Sequence, residues 1–250
     1  MMDLPPSAPE RKTFLCRALP RLLLLLIFHA SLFAIDFAAA GSVQLPDQAP
    51  IPQPRGDVLP KAAKERQEQA PLSSAEKACR KELRTLGVEF TDASNVTADG
   101  GCSLPHPIEV TKLSKRMRLE PPALLECSTA LAAARFFQSE GKALARKHFE
   151  ADIETVQQAS GYVCRPIGDG KDLSQHAFGK ALDVSGLVFS DKQEIKVGQY
   201  GDGGKPAAFL KALRAAACGP FSTVLGPGTN ADHEDHFHFD TKKRRKAYCR

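Results

Sequence analysis

Two stretches, Ser174-Gln-His176-Ala-Phe-Gly179-Lys-Ala181-Leu-Asp183 and His233-Glu-Asp-His236-Phe-His238-Phe-Asp240, hold four of the chain's seven histidines. Catalytic zinc is usually held by three protein ligands drawn from His, Asp or Glu, with a fourth position left for water. His176, Asp183 and His238 offer two imidazoles and one carboxylate, which fits that recipe. In a strand, residues two apart face the same side. His236 and His238 would then share a cleft, one binding metal and the other handling protons, with Phe237 packed behind. Gly179 and Ala181 are small residues between the first two candidate ligands, suited to a turn entering a strand where bulk would fill the site.

Ser174, His176, Gly179, Ala181 and Asp183, followed by His236-Phe237-His238, resemble the two signatures of the LAS superfamily of zinc peptidases. That superfamily includes D-alanyl-D-alanine carboxypeptidases, dipeptidases and murein endopeptidases, and His233-x-x-His236-x-His238 is most similar to the endopeptidase form. From about Cys79 to Cys249 the chain also resembles the bacterial extensin-like C-terminal domain family. Tyr162-Val-Cys164-Arg165, Ser174-x-His176, Ala217-Cys218, Val224-Leu225-Gly226-Pro227-Gly228, His236-Phe237-His238 and Tyr248-Cys249-Arg250 carry that second resemblance.

The resemblance implies a Zn2+ ion on His176, Asp183 and His238, with His236, and more weakly His233, beside the activated water. Zinc lowers the pKa of such a water towards neutrality and polarises a scissile carbonyl, and a neighbouring imidazole can pass the proton to the leaving amine. Carboxypeptidase and dipeptidase members carry Glu-x-x-His with Glu as general base; the corresponding residue here is Asp235. The base is therefore either Asp235 or His236, with Glu234 ranked behind both. Arg165 is a candidate for steadying the oxyanion or a substrate carboxylate through its planar fork of donors, or is a surface arginine beside a disulfide.

The N-terminus carries Arg11, Lys12, Arg17 and Arg21, then an apolar run from Leu22 to Phe28 extended through Phe33, then Ala38-Ala39-Ala40. This order describes a secretory signal peptide over residues 1–40, the alternative being an uncleaved anchor interrupted by His29 and Asp36. Export to the periplasm or cell envelope follows, with peptidoglycan or another wall polymer as the expected partner. Cys16 lies in that segment. The six remaining cysteines, Cys79, Cys102, Cys127, Cys164, Cys218 and Cys249, contain no Cys-x-x-Cys pair and are read as disulfides, with all fifteen pairings open. Residues 41–71 are rich in Pro, Gln and charge, the composition of an extended or flexible linker.

Residues 72–250 are the size of one domain. Ser73-Ser-Ala-Glu76 starts a first helix that Gly87 stops. Pro121-Pro122 open a second helix, with Leu124, Cys127, Leu131, Ala134 and Phe137 at helical spacing up to Gly141. A third runs from Pro206 to Ala217, closed by Gly219. Strand candidates are Val163 to Arg165, Ala181 to Val188, Ser222 to Leu225 and Phe237 to Asp240. The expected fold is α+β: helices packed on a small, mainly antiparallel sheet that carries both motifs on central strands, stapled by disulfides.

Residues 1–40 hold four of the 34 Lys and Arg and three of the 29 Asp and Glu, which leaves a net charge of +4. Lys242-Lys-Arg-Arg-Lys246 alone contributes +5, so the rest is close to neutral. Membrane association through an uncleaved N-terminus or this basic tail is one expectation, contact with anionic wall polymers another; nucleic acid is not an expected partner of an exported chain. The functional expectation is an exported zinc-dependent carboxypeptidase or endopeptidase acting on peptidoglycan stem peptides or cross-links. The alternatives are a non-catalytic wall-binding or structural domain that retains the site, and a zinc enzyme for a different amide or ester.

Overall fold

A computed structural model describes residues 70–250; the expected signal peptide and nearly all of the expected linker lie outside the described residues. Among the described residues no helix is long and apolar enough to cross a membrane. The order of elements is α1 (Ser74–Thr85), β1 (Glu89–Asp92), β2 (Val96–Thr97), β3 (Ser103–Leu104), β4 (Ile108–Ser114), β5 (Met117–Leu125), α2 (Cys127–Phe136), α3 (Lys142–Phe149), β6 (Ile153–Ser160), β7 (Ala181–Phe189), β8 (Glu194–Lys196), α4 (Gly204–Ala217), β9 (Thr223–Leu225), β10 (Phe237–Asp240) and β11 (Tyr248–Cys249).

The α+β class holds, and the sheet is larger and more mixed than expected. Nine strands run in the order β1-β4-β5-β6-β7-β10-β9-β11, with β8 on the side of β7, and β2 and β3 form a separate ribbon. The β5–β6 and β9–β11 pairs are parallel, and the remaining pairs are antiparallel.

Ser73 caps α1, its Oγ accepting from the Glu76 N–H at 3.1 Å, which satisfies one of the free donors of the first turn. The second helix does not open at Pro121-Pro122. Those prolines fall in β5, where Met117, Leu119, Ala123 and Leu125 are buried on the period of a strand. The missing proline N–H groups are accommodated by a register shift against β4 between Val110 and Lys112. The helix begins at Cys127 and does not stop at Gly141. A single π-turn, Phe137–Gly141, carries it into α3, and Gly141 keeps helical angles (φ −57°, ψ −49°). Val163–Arg165 is an exposed arm outside the named strands, not a sheet strand.

The helices bury their apolar sides against one face of the sheet. Leu182, Val184, Val224, Phe237 and Phe239 from the strands join Phe136, Phe137, Phe209, Leu210 and Leu213 from the helical layer in one core. Phe136 packs edge-on to Phe137, Phe221 and Phe239, while Phe221 stacks on Phe239 at 4.8 Å. The six cysteines pair as Cys79–Cys127, Cys102–Cys164 and Cys218–Cys249. The first ties α1 to the start of α2, the second ties the segment after β6 to the β2–β3 ribbon, and the third ties β11 to the end of α4.

Candidate metal centre

Antiparallel pairing of β7 with β10 sets Asp183 directly opposite His238. Directly opposed residues put their side chains on the same face, which here is the face away from the helices. The strand period does the sorting along β10: Phe237 and Phe239 enter the core, and His238 and Asp240 lie on the other side. His176 arrives from a different kind of element. It sits in a 3-10 turn, Gln175–Phe178, capped by Ser174 and closed by Gly179 in the left-handed conformation at φ 64°. Contrary to expectation, then, only one of the two motifs places its histidine on a strand.

The three side chains converge. His176 Nε2 lies 3.0 Å from one Asp183 carboxylate oxygen, His238 Nδ1 lies 2.9 Å from the other, and the two nitrogens are 3.1 Å apart. All three residues are buried, with His176 fully enclosed. The opposite nitrogen of each ring is occupied. His176 Nδ1 is 2.5 Å from the Gly161 carbonyl, and His238 Nε2 is 3.4 Å from the Asp240 carboxylate. A carbonyl and a carboxylate only accept, so both outer nitrogens carry protons. In neutral rings the inner nitrogens, His176 Nε2 and His238 Nδ1, would then carry the lone pairs, beside the Asp183 carboxylate. These three side chains could hold a metal ion, and two imidazoles with one carboxylate form a donor set suited to zinc.

Without metal a proton must serve. Burial works against charge on His238, but hydrogen bonds to Asp183 and Asp240 overcome it and push its pKa up to about 9. Burial likewise works against charge on Asp183, and the hydrogen bonds from His176 and His238 hold its carboxyl well below the usual range. Asp240 follows the same balance, burial being outweighed by His238, Thr223 and the Lys242 N–H.

The other expected site residues occupy graded positions. His236 precedes β10, yet its Nε2 reaches to 3.8 Å from Asp183, and its Nδ1 bonds Asp235 at 2.8 Å. Asp235 itself is exposed and stands behind His236. His233 is half-buried, with its ring 5.2 Å from that of His236 and 5.9 Å from that of His238. Its Nδ1 bonds the Asn230 side chain, and burial, then the charges of His238 and His236, lower its pKa. Glu234 turns aside to accept from the Gly228 N–H at 3.1 Å. Arg165 is not brought to the trio: it is exposed, with Nη1 3.5 Å from its neighbour Pro166's carbonyl. Gly179 is small for a reason other than sparing the site. A Cβ there would lie 2.7 Å from Leu104 and 2.9 Å from the Glu126 nitrogen.

Sequence reasoning missed Gly161 and Asp240, which fix the ring orientations. Asp240 was detectable, because it lies two residues beyond His238 on an expected strand; Gly161 left no signal. A second grouping of possible ligands, Glu76 with Cys79 and Cys127, is spent, because its two sulfurs form a disulfide. The family model described as Extensin-like protein C-terminus matches residues 77–250, more than two thirds of the chain. No curated protein and no solved structure matches.

Proposed function

The chain belongs to the extensin-like protein C-terminus family, and we propose that it is an exported zinc-dependent peptidase acting on peptidoglycan stem peptides or their cross-links. One observation carries the reading. Two buried imidazole nitrogens and a buried carboxylate converge within 3.1 Å, while the other nitrogen of each ring faces an acceptor, the Gly161 carbonyl or the Asp240 carboxylate. His176, Asp183 and His238 would hold the metal. Zinc bound there supplies a Lewis acid that activates water near neutral pH and polarises a carbonyl.

The chain's own residues divide the remaining work. His236 is the proton carrier, because its Nε2 faces the trio while its Nδ1–H is held by Asp235. Imidazole is the side chain that exchanges protons near neutrality, and a carboxylate behind it fixes the tautomer. Asp235 therefore orients the base and is not itself the base. His233, kept neutral by burial, closes the other side of His236. Arg165 meets substrate at the rim, where an exposed guanidinium can pair with a carboxylate. The basic run Lys242–Lys246 is exposed between β10 and β11, with Arg244 bonded to Thr223 Oγ1 at 2.9 Å. It gives the face beside the site an affinity for anionic wall polymer or headgroups.

Metal analysis of the purified protein followed by incubation with isolated muropeptides tests the proposal. Stoichiometric zinc with cleavage is the expected result. Zinc without cleavage of any muropeptide would point to a wall-binding domain that retains the site, and a metal-free protein under zinc-replete conditions would sink both readings.

A further inference from the structure

A cavity of about 640 Å³ opens where the end of α1, the β4–β5 turn, the π-turn and the start of β6 meet. That volume falls within the range of small-molecule sites, roughly 300–1,000 Å³. The metal centre lies elsewhere. The eight residues of β6 span about 25 Å, with Ile153 in the cavity wall at one end and Gly161, just past the other, on His176.

The walls are built by the protein's own bonds. Ser114 Oγ accepts from the Arg116 N–H at 3.3 Å and the Met117 N–H at 3.1 Å, which closes the turn between β4 and β5. Gln138, carried by the π-turn, donates through Nε2 to Leu86 O at 3.1 Å and Leu113 O at 2.6 Å. It thereby ties the helical layer to the loop after α1 and to the end of β4. Single π-turns inside helices recur at functional sites. Gly87 has φ 73°, and a Cβ on it would lie 2.8 Å from Lys115 Cγ, so the lysine stem runs along bare backbone.

The charges on those walls do not balance. Asp152 accepts from Arg146 Nε at 2.7 Å and Nη2 at 2.6 Å, and Glu154 accepts from Lys192 Nζ at 2.7 Å. Arg146, and beyond it the charges of Lys142 and Arg116, hold the Asp152 carboxyl below its ordinary range. With both acids matched, Lys115, Arg116 and Lys142 line the cavity without an ion-pair partner among the described residues. Unmatched cations on one concave wall concentrate positive potential and favour an anion. A phosphate monoester carries about −1.5 to −2 charges at pH 7 and three acceptor oxygens, which meets such an excess better than a carboxylate does. Leu86, Met117 and Ile153 add apolar wall for a carbon body.

We infer that the cavity binds a ligand carrying a phosphate monoester, whose anionic group sits among Lys115, Arg116 and Lys142 and whose carbon body lies on Met117 and Ile153. Binding here requires neither zinc nor peptidase activity.

Nitrogen–proton NMR of the full chain, titrated with inorganic phosphate and with glycerol phosphate, tests the inference. Saturable shifts are expected at the amides of Lys115, Arg116, Met117 and Asp152. Glycerol alone, and acetate at matched ionic strength, should produce none. Lys115→Gln, Arg116→Gln and Lys142→Gln should each weaken binding about threefold, as for exposed ion pairs, and the triple variant about thirtyfold. All three side chains are exposed, so melting temperature and zinc content should stay at wild-type values.

Vesicles of phosphatidylcholine with and without phosphatidic acid separate two sources of such a monoester. Capture that needs phosphatidic acid, is competed by glycerol phosphate and is lost in the triple variant assigns the ligand to a lipid headgroup. Shifts with glycerol phosphate and no capture assign it to a soluble molecule. Both outcomes support the inference. It would be overturned by the absence of saturable shifts, by shifts confined to the surroundings of Asp183 and His238 or to Lys242–Lys246, by acetate binding as tightly as phosphate, or by unchanged affinity in the triple variant.

Discussion

Asp240→Asn is the most informative single change, because the structure assigns Asp240 two effects of opposite sign. Its carboxylate lies 3.4 Å from His238 Nε2 and is itself held by Ser222 Oγ at 3.2 Å and the Lys242 N–H at 3.0 Å. As an acceptor it keeps the His238 proton on Nε2 and so leaves Nδ1 free for metal. Partners of this kind are worth about 10–100-fold in metal affinity. The 3.4 Å separation lies beyond the usual range for such a bond, which argues for the lower end, about tenfold. As an anion, however, Asp240 also helps push the His238 pKa up to about 9, so that at pH 7 zinc must displace a proton. Wild-type affinity should therefore rise about tenfold per pH unit between pH 7 and pH 9, whereas Asp240→Asn should flatten earlier. At pH 9, with proton competition gone, the variant should bind zinc about tenfold more weakly. Chelator-buffered zinc titrations across this range, with long-range nitrogen–proton NMR reporting the His238 tautomer, measure both effects. Superimposable pH profiles with the Nε2–H tautomer intact in the variant would show that Asp240 serves only the fold.

Three further outcomes follow. His236→Ala should retain zinc and lose about 100- to 10,000-fold in turnover, while His176→Ala and His238→Ala should lose the metal; equal zinc loss in all three, by elemental analysis, would mean the roles are wrongly divided. In the metal-free protein, the stability contributed by His238 should be fully present below about pH 6.5 and lost as pH rises through about 9, on the order of 3 kcal/mol in denaturant titrations. The depressed Asp183 and Asp240 act in the other direction, contributing above the ordinary Asp range near pH 3.8 and failing as pH falls below it, so a stability that rises steadily from pH 6 to 9 would contradict the geometry. Gly179→Ala should cost about 2–4 kcal/mol, combining a left-handed backbone with overlap on Leu104 and the Glu126 nitrogen; a loss below 1 kcal/mol in chemical denaturation would show that the turn relaxes easily.

The convergence of His176, Asp183 and His238 was legible because it is carried by residue type: few histidines, two of them in a strand-period pair, and an acid at the far end of a glycine-containing turn. The supporting bonds were less so. Gly161 acts through its carbonyl, which every residue has, and only the three-dimensional path of the chain brings it to His176. The fold errors have a common cause. Pro121-Pro122 carry a strong helix-start signal, yet burial of Met117, Leu119, Ala123 and Leu125 on alternate positions outweighed it. Ile153-Glu-Thr-Val-Gln-Gln-Ala-Ser160 is too polar to read as a central strand, but Gln158 is accommodated by bonding the Pro121 and Pro122 carbonyls. Val163–Arg165 has strand-like composition and does lie in a paired arm, one that stands outside the sheet. Local propensity was overridden wherever tertiary pairing supplied the missing partner.

The register of one strand pair couples stability to the candidate chemistry. In β10 the odd-numbered Phe237 and Phe239 fill the core and the even-numbered His238 and Asp240 build the centre, while in β7 Asp183 stands between the core residues Leu182 and Val184. A slip of one residue would drive two phenylalanines to the outer face and bury two polar groups among Phe136, Tyr200 and Phe221. The aromatic packing that stabilises the sheet thus also excludes the one-residue slips that would turn His238 away from the face of Asp183. The site needs no local rigidity of its own along β10. It inherits that rigidity from the core on the opposite face, and only His176, which arrives on a turn, requires separate restraints: the Ser174 cap, the left-handed Gly179, and the arm locked by Cys102–Cys164.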